Sequence, residues 1–127
     1  LIGGVNVYNA TNVVLKDLNV TAADYYAVWA DSAATVTVQG GTYDLGKGKA
    51  VFAATKTESG DFISVITVEG NCTAKGNTLF LDKGGKLKIK GGTYEVDPTD
   101  YLETGYEVTT STVEGKTTYT VAAAQNN

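Results

Sequence analysis

Residues 27–45 read AVWADSAATVTVQGGTYDL, and residues 78–96 read TLFLDKGGKLKIKGGTYEV. Laid on one another at an offset of 51 residues, from Ala27 to Thr78, the two stretches need no gap. The repetition extends outward from there. Shifted back by 23, residues 28–40 (VWADSAATVTVQG) meet residues 5–17 (VNVYNATNVVLKD). Shifted forward by 23, Ala27–Ala30 (AVWA) meets Ala50–Ala53 (AVFA). Residues 64–73 (SVITVEGNCT) match TVTVQGGTY after a polar insertion of seven residues around 55–61. Four units emerge, beginning near Val5, Val28, Val51 and Leu79.

Each unit contains short runs in which apolar residues alternate with Thr, Lys, Gln and Glu. One run is Val5/Val7, Val28/Ala30, Val51/Ala53 and Leu79/Leu81. The next is Val13/Leu15, Val36/Val38, Ile66/Val68 and Leu87/Ile89. A third carries Leu18/Val20, then Tyr43/Leu45, then Tyr94/Val96. A period of two means strands with one face buried and one exposed. Fixed-period self-similarity with two or three short strands per unit predicts an all-β solenoid of about four coils, equivalent residues stacking about 4.8 Å apart. A β-sandwich or barrel also accommodates short strands and glycine-rich turns, but neither requires a gapless repeat. The pairs Gly40-Gly41 and Gly91-Gly92 are expected at a corner, where positive φ favours glycine. Asp17-Leu18 and Gly70-Asn71 occupy the same slot. Tyr43 and Tyr94 are expected in the core.

Beyond Val96 the repeat stops. Asp97-Pro98 ends the strand, residues 99–104 allow one helical turn, and two alternating runs flank Glu114-Gly115-Lys116 as a β-hairpin. The expected organisation is residues 1–96 as coils and 97–127 as a C-terminal cap that blunts one exposed sheet edge. The N-terminal edge has no comparable cap. The sequence therefore predicts missing coils upstream or self-association there. The start at Leu1, without Met, reads as a mature or excised piece.

Composition narrows the function. The chain has 15 Gly, one Pro and no Met, and its 43% hydrophobic content supports a core. Net charge is −4, all ten basic residues are Lys, and neither Arg nor His occurs. No basic stripe exists to displace counterions from a phosphate backbone, so nucleic acid is not an expected partner. No apolar run reaches the roughly 20 residues of a membrane-spanning helix. The lone Cys72 rules out a disulfide within the chain. Sequons at Asn9, Asn19 and Asn71 are expected by chance in a chain rich in Asn and Thr.

Strand parity singles out the aromatic residues. With Val28 and Ala30 inward, Trp29 faces out. The repeat offsets then send Phe52 and Phe80 out as well, with Asn6 in that slot on the first coil. Trp29, Phe52 and Phe80, with Tyr26 or Tyr25 nearby, form an expected outward aromatic ladder. Trp29, Phe52, Phe80 and Tyr26 are accordingly the candidate ligand-binding residues. A large exposed apolar patch usually marks a contact site. A polysaccharide or a host or cell-surface protein is the expected occupant. The opposing possibilities are that the tail or the 54–62 loop covers the ladder, or that the parity is reversed and Trp29 lies in the core.

The repeats, together with the ending GGTYEVDPTDYLETGYEV…TTYTV, resemble right-handed parallel β-helix (pectin-lyase-like) repeats of bacterial surface proteins and a terminal element of gut Firmicutes surface proteins. The resemblance implies a right-handed parallel β-helix at an extracellular, cell-surface or virion location. It implies no activity, because that fold hosts enzymes, adhesins and spacers. Similar lyases use acidic residues to hold calcium and an Arg base, and similar hydrolases use clustered Asp, often with His. This chain lacks Arg and His. Asp31 and Asp82 share a repeat slot, but at two coils they lie about 9.6 Å apart, near the upper end of an inverting pair at about 6.5–9.5 Å. Asp44 and Glu95 form a second such pair. Both pairs read as turn-capping residues. Asp97, Asp100 and Glu103 lack a calcium-loop pattern, and Cys72 has no His to activate it. The sequence thus points to a non-catalytic structural or adhesive segment without cofactor or metal. The alternative is a carbohydrate-binding or carbohydrate-active module using the ladder.

Overall fold

A computed structural model describes residues 2–124 of the chain. It is all-β, with one short 3-10 turn at Thr99–Tyr101. The strands are β1 (Ile2–Gly3), β2 (Val5–Tyr8), β3 (Val13–Ala22), β4 (Tyr26–Asp31), β5 (Thr35–Asp44), β6 (Ala50–Thr55), β7 (Val65–Lys75), β8 (Phe80–Lys83), β9 (Lys86–Ile89), β10 (Gly92–Tyr94), β11 (Tyr106–Val113) and β12 (Lys116–Ala123). From β2 to β9 the chain passes alternately between two sheets. The first has the order β1-β3-β5-β7-β10-β12-β11, with β9 also paired to β7, and the second has β2-β4-β6-β8. Every pairing between strands is parallel until the hairpin. Sandwich sheets are antiparallel, so these pairings argue against the sandwich.

The apolar ladders follow from these registers. In the first sheet Val13, Val36, Ile66 and Leu87 lie in one row, and Leu15, Val38, Val68 and Ile89 in another. A third row runs Val20, Tyr43, Ala74, Tyr94. Both tyrosines are buried, as expected, and the small Ala74 between them leaves room for two large rings. Each hydroxyl is satisfied locally: Tyr43 donates to the Gly40 carbonyl at 3.0 Å and Tyr94 to that of Gly91 at 2.6 Å. Burial pushes the Tyr43 phenol up to about 12 and that of Tyr94 higher still.

The second and third runs of a unit are not separate strands in three of the four units. They fuse into the long, bent β3, β5 and β7. The bend falls at the predicted corner, where Asp17, Gly40 and Gly70 have φ of 53°, 73° and 73°. Asn71 is an extra residue there: Gln39 pairs with Glu69, but Gly41 with Cys72, so β7 bulges against β5. Cys72 therefore occupies the slot of Gly41.

Two regions leave the repeat. The insertion forms a small projection closed by an antiparallel bridge between Lys56 and Ile63, with Phe62 at its surface. The tail forms the expected hairpin, β11 and β12 joined through Glu114 and Gly115 at φ 52° and 79°. Two successive positive φ values suit a two-residue turn that matches strand twist. β12 lies antiparallel on β10, so the hairpin covers the β10 edge and ends the parallel stacking. At the other end, β1 and β2 are the terminal strands of their sheets.

Candidate functional site

The outward aromatic ladder does not form. In the second sheet Phe52 pairs with Val28, not with Trp29, and Phe80 pairs with Phe52. The cause is one residue of turn length. Thr21 pairs with Asp44 and Tyr26 with Ala50, so residues 22–25 in one unit are matched by residues 45–49 in the next. The extra residue is taken up in a tight turn where the Gly48 amide donates to the Leu45 carbonyl at 2.7 Å. A one-residue slip exchanges the faces of a strand. Phe52 is therefore fully buried, 6.0 Å from the Tyr43 ring. Phe80 is half-buried against the same core and is met edge-on by Tyr101 at 5.5 Å, so the tail covers part of it.

Trp29 keeps the expected orientation. Val28 and Ala30 belong to the main core, while Trp29 packs on a separate cluster of Tyr26, Ala50 and Ala53. The outward row is Asn6, Trp29, Ala53, Leu81, with one aromatic member. Trp29 joins its own sequence neighbours instead. Tyr26 meets it edge-on at 5.3 Å, and Tyr25 is tilted against it at 6.2 Å. Tyr26 is buried, whereas Tyr25 is exposed and carries Lys49 Nζ 5.0 Å from its ring centroid. Of the four candidate residues, then, Trp29 and Tyr26 come together and Phe52 and Phe80 point to the core. Asn6, which parity placed in the Trp29 slot, and Tyr25, expected beside the ladder, share a cleft with the cluster, together with Gly3 and Gly4, which parity did not single out.

The carboxylates serve turns. Asp44 accepts from the Gly46 amide at 2.9 Å and Asp82 from the Gly84 amide at 2.7 Å. Asp97 accepts from the Thr99 amide at 3.0 Å and from its hydroxyl. Asp31 accepts from the Thr55 hydroxyl at 2.7 Å and the Ser32 hydroxyl at 3.2 Å. Asp31 and Asp82 are not in one slot: Asp82 follows Ala30 and Ala54 in its row, one step from Asp31. Glu95 accepts from the Gly76 amide at 2.8 Å and pairs with Lys116 at 2.6 Å, which holds its carboxyl below the ordinary value. Glu103 faces Lys88 at 3.8 Å. Among the described residues no three His, Cys, Asp or Glu side chains are grouped to hold a metal ion.

Cys72 is buried, and its thiol donates to the Glu69 carbonyl at 3.2 Å and the Val38 carbonyl at 3.5 Å. Burial pushes the thiol up to about 11. A neutral, enclosed thiol is a packing group and not a nucleophile.

No helix among the described residues is long and apolar enough to cross a membrane. No family model matches the chain, and no curated protein and no solved structure matches it.

Proposed function

We propose that the stacked units are a segment of a right-handed parallel β-helix, and that the chain is a non-catalytic structural or adhesive part of an extracellular bacterial or phage surface protein. The observation that carries this reading is the repeated parallel register. Strand after strand stacks on its equivalent one unit earlier, apolar rows run the length of the stack, and a hairpin ends it. Such an arrangement pairs backbone groups across neighbouring units and gives a stiff body, which suits a stalk or a presenting surface. The carboxylates support the non-catalytic part, because those that the sequence singled out in pairs are engaged with backbone amides, hydroxyls or lysines. The resemblance of the repeats and the ending to bacterial surface proteins supports the location.

Antibodies raised against the folded chain test the role in cells of the organism that encodes it, or on its virions. Staining of intact cells or particles is the expected result. Staining only after permeabilisation contradicts it. A carbohydrate-binding role is the second reading, and the cleft beside Tyr25 and Trp29 favours it.

A further inference from the structure

The strand edges of this chain are protected unequally. β1 is two residues long, and β2 and β8 are four residues each. β3, beyond its short pairing with β1, bends at Asp17 and carries Lys16 beside the bend. β9 carries Lys86 and Lys88 and is bridged at Ile89 by Leu102. Shortness, lysines, bends and coverage are the devices that keep strand edges from pairing with other chains. β11 has none of them. It runs for eight residues, YEVTTSTV, in unbroken register with β12, without proline or lysine, and Thr109–Val113 are exposed. Its single charge is Glu107. Among the described residues β12 is its one strand partner, so it is the terminal strand of the first sheet.

The hairpin fixes which backbone groups of β11 are free. Val113 and Lys116 flank a two-residue turn and exchange main-chain bonds, and alternate residues back along β11 do the same. The Ala124 amide donates to the Gly105 carbonyl at 2.8 Å, which keeps that phase to the far end. The odd-numbered residues of β11 therefore bond to β12, while Val108, Thr110 and Thr112 turn N–H and C=O to the open edge. We propose that this edge pairs with the β11 edge of a second copy, antiparallel about a two-fold axis at Thr110. Val108 then exchanges main-chain bonds with Thr112 of the second copy, and Thr110 with its own counterpart, so every free position is used. Thr109 lies opposite Ser111 of the second copy, and Thr–Thr and Thr–Ser pairs are favourable across strands. The charges permit the pairing. The two Glu107 carboxylates fall at opposite ends of it, roughly 20 Å apart at about 3.4 Å per residue, beyond the ~8 Å screening length. No other edge of this chain offers an unbent run of that length, so β11 of a second copy is the strand that fits. A two-fold contact closes on itself and leaves no edge from which a fibre could grow.

Two paired strands make a contact smaller than the roughly 1,200 Å² of a stable interface, so the dimer dissociates with a constant on the order of 100 μM. Sedimentation equilibrium of the intact chain from about 10 μM to about 1 mM, a decade either side of that constant, is expected to show monomer and dimer in exchange. Thr110→Pro removes an outward N–H and none of the bonds to β12. It should leave the chain monomeric throughout that range, with unchanged strand content by circular dichroism. Thr110→Cys sets two thiols across a pair whose Cα atoms lie about 5.5 Å apart, within disulfide reach. Mild oxidation should then give a covalent dimer on a non-reducing gel, whereas Ser59→Cys, on the exposed projection, should remain monomeric. Cys72 is buried and does not compete. A chain that stays monomeric to about 1 mM, ten times the expected constant, overturns the proposal. Cross-linking no faster at position 110 than at 59 also overturns it, and that comparison decides alone if Thr110→Pro does not fold. A dimer that a folded Thr110→Pro leaves intact overturns it too, by placing the contact at another edge.

Discussion

In the first sheet, Val36, Val38, Thr42 and Tyr43 stack through β7 onto Leu87, Ile89, Thr93 and Tyr94, each pair 51 residues apart. In the second, Val28 and Trp29 stack through β6 onto Phe80 and Leu81, 52 residues apart. The same two units thus keep the gapless offset in one sheet and break it by one in the other. The first sheet tolerates its own extra residue, Asn71, because the bulge at Gly70 restores the register before Thr73. The second sheet has no such correction, and Phe52 turns inward. A repeat read from sequence fixes the stack, but the length of each turn decides which face a side chain occupies.

The sharpest way to break this comparison is to remove the ring that the slip buried. Phe52→Ala should cost about 3–5 kcal/mol, the range for a fully buried aromatic, read as a large fall in the denaturation midpoint. If Phe52 faced solvent, the loss would stay within roughly 0.5 kcal/mol.

The first sheet carries a pH signature of its own. Cys72, Tyr43 and Tyr94 all have their ordinary values raised by burial. Between the unfolded and folded values the unfolded chain releases its protons first, so stability is full below about pH 9 and falls as pH rises. For Cys72, raised from 9.0 to about 11, the loss is on the order of 2 kcal/mol. Thermal melts from pH 8 to 11 should show the decline, and Cys72→Ala should make it shallower. A flat profile would contradict the burial of these groups.

A finer test compares two equivalent positions. Tyr43→Phe and Tyr94→Phe each delete a hydroxyl bonded to a corner carbonyl, and each should cost about 1 kcal/mol in urea titrations. Unequal costs would mean that the two corners differ.

The smallest effect belongs to the junction of stack and hairpin. Lys116→Ala removes the partner of Glu95 and should cost less than about 1 kcal/mol, because the lysine is exposed and Glu95 only partly buried. The Glu95 carboxyl is held below its ordinary 4.5, so its contribution is present above that pH and is lost as pH falls through the folded value. In Lys116→Ala that acid-side decline, followed by denaturation between pH 5 and 2, should shrink.

Much of this molecule was legible in its residues. Alternation in TVTV and KLKI fixed the inward rows of the first sheet, the GG and Asp17 slots marked the bends, and Glu114-Gly115 announced the hairpin. The aromatic face was not legible, for two physical reasons. Ala50-Val51-Phe52-Ala53-Ala54 is apolar throughout, so period two assigns it no parity. The turn ahead of it, Leu45 to Lys49, is one residue longer than its counterpart, and turn length leaves no trace in an apolar pattern. The cleft beside Trp29 was hidden because Gly3 and Gly4 contribute shape and no side chain.

The register of the second sheet is tested most directly by nuclear Overhauser contacts from the Phe52 ring. The account predicts contacts to the Tyr43 ring, 6.0 Å away between centroids, and to Val28 and Phe80, its register neighbours. It predicts none to the Trp29 indole. Contacts between the Phe52 ring and the Trp29 indole, without any to Tyr43, would restore the outward ladder and contradict the slip.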